Sequence, residues 1–503
     1  MKKFKKKLLF LSSVLTTSSI LTVAGACSNS STNKTELLNS MKNDQTVEAL
    51  KTKFDGYSTD AMEIIGSKAE INDQSGDLIQ AFNEYFGTKL SFTQYGNGTN
   101  PGEILTQKFA SSGGVGNVLL FAIEPKSEFE KHDKYTINSD AKIVLEIDKN
   151  IPGTIEVGNK KFMPQVYEYY GVVYNKDLFN EKDVVVYEGK SFAQVKASNS
   201  NFNLIKNNNY NGTIESEGKL YVFTNDLKEE GYIKVVEFLK SKGVTSPFYS
   251  LAKAQKQYLW PISTHLIAGA ISTISQPKEN EWNQADKVIT PEMINTVKNA
   301  LKIMGYQEGD DQAKQNNVDS GLASLAVNQT AMIQGGTFSE PDVKRTNKNI
   351  KLGLFPLPIF NKIDQTAMVY RGAAQKWAIT TLAKDEAKLK TAKMFLQFLY
   401  KTKSGYNYLS KVFKFISPYN APEGILNSVD QNSLLTSAAN YEGDTNVGNW
   451  VHQNFPDGFN TDNDILAQVS NKGYAAENAY EKIKDTYEDL YKKHLENNKK
   501  RNL

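Results

Sequence analysis

The sequence predicts an α/β protein of two lobes, and three observations carry that expectation. At 503 residues the chain is longer than one ordinary hydrophobic core accommodates. Residues 61–122 alternate short β-branched runs with helix-periodic stretches, the βαβαβ order of a parallel sheet flanked by helices. Hydrophobic residues make up 40% of the chain and aromatics 11%, enough to fill two such bodies.

The N-terminus is a segment to be removed before the fold is considered. Lys2, Lys3, Lys5, Lys6 and Lys7 precede an apolar stretch, Leu8 to Val23, which ends in Ala24-Gly25-Ala26-Cys27. Removing residues 1–26, whose only charges are those lysines, takes the formal net charge from +3 to −2. A near-neutral body gives no bulk electrostatic case for nucleic acid. Cys27 is the only cysteine, so the body has no disulfides and depends on packing. The segment resembles a bacterial lipobox, with Ala24 where leucine is commoner. That resemblance implies a signal peptide over 1–26 and acyl chains such as palmitate on Cys27, anchoring the protein at the outer surface of the cell membrane. An uncleaved anchor and a buried free thiol are the alternatives. Residues 27–53 then read as a lipidated tether, Ser, Thr and Asn rich from Ser28 to Ser40, with a short helix over Thr46 to Phe54.

The body starts with Ala61 to Ile65 as a strand and Gly66-Ser67 as a turn. Asn72 to Phe86 follows as a helix with Leu78, Ile79, Phe82, Tyr85 and Phe86 at helical spacing. Leu90 to Tyr95 is a strand, Pro101 to Ala110 a helix capped by Thr99-Asn100-Pro101, and Val118 to Ala122 a strand. Ligands in such sheets collect beyond the carboxyl ends of the strands, which directs attention to Gly66-Ser67-Lys68, Tyr95 to Asn100 and Ala122-Ile123-Glu124. Tyr95 to Gly102 is an ordinary strand-to-helix loop or an anion cradle; without a following Gly-Lys-Ser/Thr it is no Walker A loop.

The passage that organises the chain is Tyr169-Tyr170-Gly171-Val172-Val173-Tyr174-Asn175-Lys176-Asp177-Leu178-Phe179. Locally it is a buried strand running into an Asn-Lys-Asp turn. It also resembles the hinge crossover of the extracellular solute-binding proteins of ABC importers, in particular carbohydrate-type members similar to maltose-binding protein. The resemblance spans about residues 54–500 and implies a two-lobed periplasmic-binding-protein-like (type II) fold with three interlobe crossings. Residues 54–170 with 352–415 would form the first lobe, and 175–350 with 416–503 the second. Leu352 to Pro358 resembles the second crossing and Phe413 to Pro418 the third.

Residues 181–218 fit the resemblance poorly. Val184 to Tyr187 and Leu220 to Thr224 suggest a hairpin around an asparagine-rich loop, Asn199 to Asn211, similar to insertions in mollicute surface lipoproteins. A helix capped by Thr224-Asn225-Asp226 follows, with Ile233, Val236, Phe238 and Leu239 inward. The tail, Tyr474 to Leu495, is an amphipathic helix with Tyr480, Ile483, Tyr487, Leu490 and Tyr491 along one stripe, which packs on a lobe or meets a partner.

The resemblance also supplies candidate ligand contacts. Tyr258 and Trp260 match the family's aromatic sugar platform, although a lone tryptophan is equally a core residue; flat rings bury the C–H faces of sugars while hydroxyls bond at the rim. Gly336, Thr337 and Phe338 match a strand ending at the cleft, with Thr337 where many sugar binders place tryptophan. Arg371 and Gly372 match a glycine-rich ligand loop, the arginine suited to a carboxylate or phosphate but more readily explained as a solvated or interlobe residue. Ser67 and Glu124 lie at strand ends. Implied are a sugar, oligosaccharide or glycerol phosphodiester ligand, and an ABC permease with its ATPase as partners. A surface adhesin binding host macromolecules is the alternative.

Catalysis finds little support. His132, His265, His452 and His494 are far apart with no HExxH or His-x-His, and no Gly-x-Ser-x-Gly elbow occurs. Glu124, Glu128 and Glu130 offer a carboxylate pair, but a hydrated helix turn explains them better. The expectation is a receptor with no cofactor, no metal and no chemistry of its own.

Overall fold

Two strands carry the architecture. Lys160–Asn175 and Ala367–Thr380 run antiparallel, with Met163 opposite Trp377 and Tyr170 opposite Tyr370. At roughly 3.3 Å per residue each spans about 50 Å, far beyond an ordinary strand, so each serves both lobes. In this computed structural model the described residues are 30–96, 101–124, 126–199, 202–249, 261–305, 317–360, 366–423, 433–441, 447–449 and 479–501.

The first lobe forms on one flank of this ribbon. Ala61–Gly66 lies between Lys89–Gln94 and Val118–Ile123, parallel to both, and Val118–Ile123 pairs antiparallel with Lys376 to Ile379. Ile64 and Ile65 are both fully buried but enter different clusters, the mark of a sheet covered on both faces. On one face Phe82 of helix Asn72–Phe86 meets Phe395 and Phe398 of helix Glu386–Lys401, with ring centroids 5.4 and 5.3 Å apart. Trp377, buried among them, donates its indole N–H to the Tyr400 hydroxyl at 2.8 Å, and Tyr400 donates to the Gln165 carbonyl at 2.8 Å. The opposite face packs Leu105, Phe109, Phe121, Phe129 and Phe162.

The second lobe uses the far halves of the same two strands. Thr330–Gly336 and Leu352–Phe355 both pair antiparallel with the first long strand, and Ser246–Tyr249 pairs parallel with Thr330–Gly336. Tyr170, Val172 and Tyr174 point into one core with Phe355, while Tyr169 and Val173 point into another with Leu354 and Tyr441. Gly171 is held to glycine by close approach: a Cβ there would lie 2.3 Å from the Phe355 carbonyl oxygen.

Among the described residues three passages cross between lobes. The first long strand goes from Met163 and Val166 in the first-lobe core to Val172 in the second, as expected of Tyr169 to Asn175. The return differs from the expectation at Leu352 to Pro358: Leu352–Phe355 lines up with Val172 to Asn175, and Leu357 and Phe360 with Met368 and Ala367, all in the second lobe. The second long strand makes the crossing instead, from Tyr370 in one core to Ala374 and Trp377 in the other. An apolar run buried on both faces looks the same whether it crosses or stays. The third passage falls at Phe415 and Ile416, where Ile416 accepts the Tyr167 N–H at 2.8 Å.

Three further expectations are corrected. The insertion is a folded module in which Val184–Tyr187 runs parallel to Lys219–Phe223; the hairpin partner is Thr213–Ser216. Helix Phe192–Ser198 makes the crossover that a parallel pair requires, with Phe192 and Phe223 in a small core of their own. Its neighbour, helix Glu229–Ser241, starts later than Thr224 and so turns Tyr232, Val235, Phe238 and Leu239 inward, leaving Ile233 exposed. The expected tether over 27–53 is, from residue 30, two helices, Ser30–Lys42 and Gln45–Lys53, with Leu37, Leu38, Met41, Val47 and Leu50 buried on the first lobe. Polar composition masked an apolar stripe. Asp44 caps the second of these helices, accepting from Thr46 N–H at 2.9 Å and Ser404 N–H at 2.7 Å. The tail helix, Ala479–Arg501, packs Ile483 and Tyr487 on the second lobe, and Tyr487 donates to the Trp282 carbonyl at 2.7 Å. Residues 1–29, with Cys27, lie outside the described residues.

Asp77 on helix Asn72–Phe86 is 4% exposed, with Asn33 of the first helix as its hydrogen-bond partner. Burial pushes its carboxyl from 3.8 to about 6, against the pull of Asn33. Between those values the folded state holds a proton that the unfolded state lacks, so Asp77 makes stability rise as pH falls through about 6 toward 3.8. Asp77→Asn is expected to raise the urea midpoint at neutral pH and to flatten the stability profile in that window, measured by equilibrium unfolding across the acid range.

Candidate ligand cleft

Side chains alternate along a strand, so Glu168 and Tyr170 leave the first long strand on the same face, at the seam where it passes between lobes. Glu168 is 4% exposed and Lys68, on the turn after Ala61–Gly66, is 5% exposed. The Lys68 ammonium donates to one Glu168 oxygen, Tyr170 donates its hydroxyl to the other at 2.8 Å, and Glu70 lies 3.4 Å from Lys68. Lys68 also stands 5.7 Å from the Phe338 ring and 6.0 Å from that of Phe415. Phe338 comes from the second lobe, following Thr330–Gly336, and faces Tyr170 at 6.3 Å and His265 at 6.0 Å.

The electrostatics follow from burial. Desolvation alone would push Lys68 down, but Glu168 and Glu70 outweigh it and hold the ammonium above the usual lysine range. Burial pushes Glu70 up, with Lys68 opposing, and burial with Glu168 alongside drives the Tyr170 phenol well above its ordinary value. Lys376, 7% exposed, is pushed down by burial against the pull of Glu124, 3.7 Å away, and donates to the Ala373 carbonyl at 2.9 Å. Two contacts reach across the seam: Arg345 donates to the Glu70 carbonyl at 3.3 Å, and Lys414 lies 3.7 Å from buried Glu340.

Several residues singled out from the sequence meet here. Ser67 is half-buried and donates to the Ala122 carbonyl at 3.3 Å; Glu124 is exposed beside Lys376. Gly336 pairs opposite Tyr170, and a Cβ there would come within 2.7 Å of the Phe338 ring. Thr337 is 2% exposed and accepts the Tyr169 N–H at 3.3 Å, so it ties strands together. Gly372 lies opposite Glu168, whereas Arg371 lies opposite Tyr169 and therefore on the other face of the ribbon. Both belong to the continuous strand Ala367–Thr380, not to the loop expected of them. Arg371 is exposed and acts on Tyr167, whose phenol burial pushes up to about 12 while the guanidinium opposes. Tyr258 and Trp260 lie outside the described residues, as does much of the Tyr95 to Gly102 loop. Glu128 lies 3.5 Å from His132 and 3.7 Å from Lys131, cationic or ionisable partners in place of the expected second carboxylate. Among the described residues no group of three His, Cys, Asp or Glu is placed to hold a metal.

Sequence reasoning placed Lys68 in a loop of interest without giving it a role, and missed Glu168, Tyr170 and Lys376 as site residues. One signal was present: Glu168 is a charged residue inside the apolar run from Val166 to Tyr174.

Removing one member of a buried ion pair leaves the other unpaired, a change that costs about 3–5 kcal/mol, while replacing both with apolar groups is often near neutral. Lys68→Met is therefore expected to destabilise the fold by about that amount in urea unfolding, and Lys68→Met combined with Glu168→Leu to recover most of the loss.

No protein-family model and no curated protein matches the chain. Solved structures do. The solute-binding protein RafE in complex with raffinose superposes with a TM-score of 0.60 at 14% identity, covering 86% of this chain and all of that one. The putative binding protein MsmE from Bacillus subtilis, in an open conformation, gives 0.55 at 16% identity over 88% of this chain and 100% of its own. A manno-oligosaccharide-specific solute-binding protein from Bifidobacterium animalis subsp. lactis, in complex with mannotriose, gives 0.55 at 14% identity over 87% of this chain and 95% of its own. The chain has the two-lobed α/β fold of these solute-binding proteins.

Proposed function

We propose that the protein is a solute-binding receptor of an ABC importer, anchored by lipid at Cys27, that captures a sugar or oligosaccharide between its lobes. The observation that carries this reading is the seam cluster of Lys68, Glu168, Tyr170 and Phe338, placed where the two lobes of a solute-binding fold meet. Carboxylate, ammonium and phenol offer acceptors and donors to hydroxyls, and the rings of Phe338 and Tyr170 offer flat apolar faces to C–H groups. Three solved structures of this fold are complexes with raffinose, stachyose and mannotriose, which favours a carbohydrate over a glycerol phosphodiester. Ligand held by both lobes favours the closed arrangement in proportion to its differential affinity. The closed form then presents a surface to a membrane permease and its ATPase, the partners this role requires. Tyr258, Trp260, Ser67, Glu124 and Gly372 are proposed as further contacts; Arg371, on the other face of the ribbon from Glu168, is proposed as a contact only for a ligand that reaches around that edge.

The test is a thermal-shift and calorimetry series on protein beginning at Ser28, with raffinose, stachyose, mannotriose and glycerol phosphodiesters as probes. A carbohydrate is expected to raise the melting temperature, and Phe338→Ala to weaken its binding by about tenfold, equivalent to about 1.4 kcal/mol. If Phe338→Ala and Tyr170→Phe both bind that ligand as the unaltered protein does, the seam is not the binding site.

A further inference from the structure

The second-lobe helix that follows Phe338 touches the first lobe at both of its ends. Glu340–Thr346 packs on the single turn Ala69–Ile71, next to Lys68. At the start of the helix Glu340, 0% exposed, lies 3.7 Å from Lys414 on the third strap, whose neighbours Phe413 and Phe415 belong to the first-lobe core. Near its end Arg345 donates to the Glu70 carbonyl at 3.3 Å. The same guanidinium holds Asp342 at 2.9 Å, one turn back on the same face of the helix. One exposed cation thus ties a second-lobe carboxylate to the first-lobe backbone.

Acidic groups crowd this contact. Glu70 lies 3.4 Å from Lys68 and also meets the charges of Glu168 on the ribbon and Asp342 across the seam. Lys68 is shared, because its ammonium already donates to Glu168. Asp342 meets Arg345 and, from helix Val318–Ala326, Asp319. Burial pushes the carboxyls of Glu70 and Asp342 above their ordinary values, with Lys68 and Arg345 opposing. Lys68 stays charged throughout, being held above the usual lysine range.

Separating the lobes takes Asp342 away from Glu70 and readmits water to both, which returns them toward ordinary carboxylate behaviour. Lobes in contact therefore hold protons that separated lobes release. By linkage, lowering the pH toward the usual carboxylate range favours contact.

We propose that Glu70, Asp342 and Arg345 form an acid-responsive latch between the lobes, and that acidification draws the lobes together around the cleft. Arg345 is the hook, and the two carboxylates set its pH response. The latch needs the two-lobed fold only, whatever solute the cleft takes.

The experiment measures lobe separation without ligand. Residues 28–503 contain no cysteine, so fluorophores at Ile143→Cys on the first lobe and Ile233→Cys on the second, both exposed positions, report the distance by energy transfer. The ratio of closed to open molecules is expected to rise about threefold from about pH 7 to about pH 4.5. Glu70→Gln combined with Asp342→Asn is expected to remove that rise, and Arg345→Ala to lower the ratio at neutral pH about twofold. Asp77→Asn, beneath the first helix, is expected to keep the rise. A ratio that ignores pH overturns the proposal. So does a rise that survives in Glu70→Gln with Asp342→Asn, a rise lost in Asp77→Asn, or an unchanged ratio in Arg345→Ala. Arg345 is exposed, so its variant keeps the test decisive even if the double variant fails to fold. These distances are read without sugar, so failure of the latch and failure of the receptor reading are told apart.

Discussion

The register between Lys160–Asn175 and Ala367–Thr380 is the constraint on which the rest depends. A slip of one residue would turn Tyr170 and Tyr370 out of the second-lobe core and expose Trp377 in the first, so both cores enforce one alignment. Lobes joined by continuous strands also move differently from lobes joined by loops. Opening must be taken up by twist and bend of a hydrogen-bonded ribbon, with Ile416 bound to Tyr167 as a third strap.

Polar groups are buried at the middle of that ribbon. Desolvating Lys68, Glu168 and Lys376 is costly, and the cost is offset only while each keeps its partner. Glu168 sits on the ribbon, Lys68 on a first-lobe turn and the Phe338 ring on the second lobe, so the cluster is complete only when the lobes are near one another. Separating them would hydrate charges that are dry in this arrangement. The polarity of the seam therefore couples lobe position to ionisation, a property that apolar packing alone would not give.

Much of the first lobe was legible because its elements are local. Helix periodicity over Asn72 to Phe86 and β-branched runs at Ala61 and Val118 fix element type without knowledge of the remainder of the chain. What failed was pairing at a distance. Val184 to Tyr187 and Leu220 to Phe223 look alike as hairpin arms or parallel neighbours, and only the helix between them decides. Leu352 to Phe360 reads as a crossing or a turn back, and the long strand beginning at Ala367 settles it. The candidate site was half legible. Ser67, Gly336 and Phe338 were singled out at strand ends and Lys68 in the loop beside Ser67, but the role of Lys68 emerged only once Glu168 was seen to be dry and bonded to it.

The docked N-terminal helices have a consequence for geometry at a bilayer. The first helix begins at Ser30 and packs Leu37, Leu38 and Met41 on the first lobe. If acyl chains sit on Cys27, only Ser28 and Asn29 separate the acylated residue from the first helix, three Cα steps and a reach of about 10 Å at full extension. Such a leash is too short for free tumbling. It would pin the first lobe against the headgroups as a fixed base and leave the second lobe as the arm that swings.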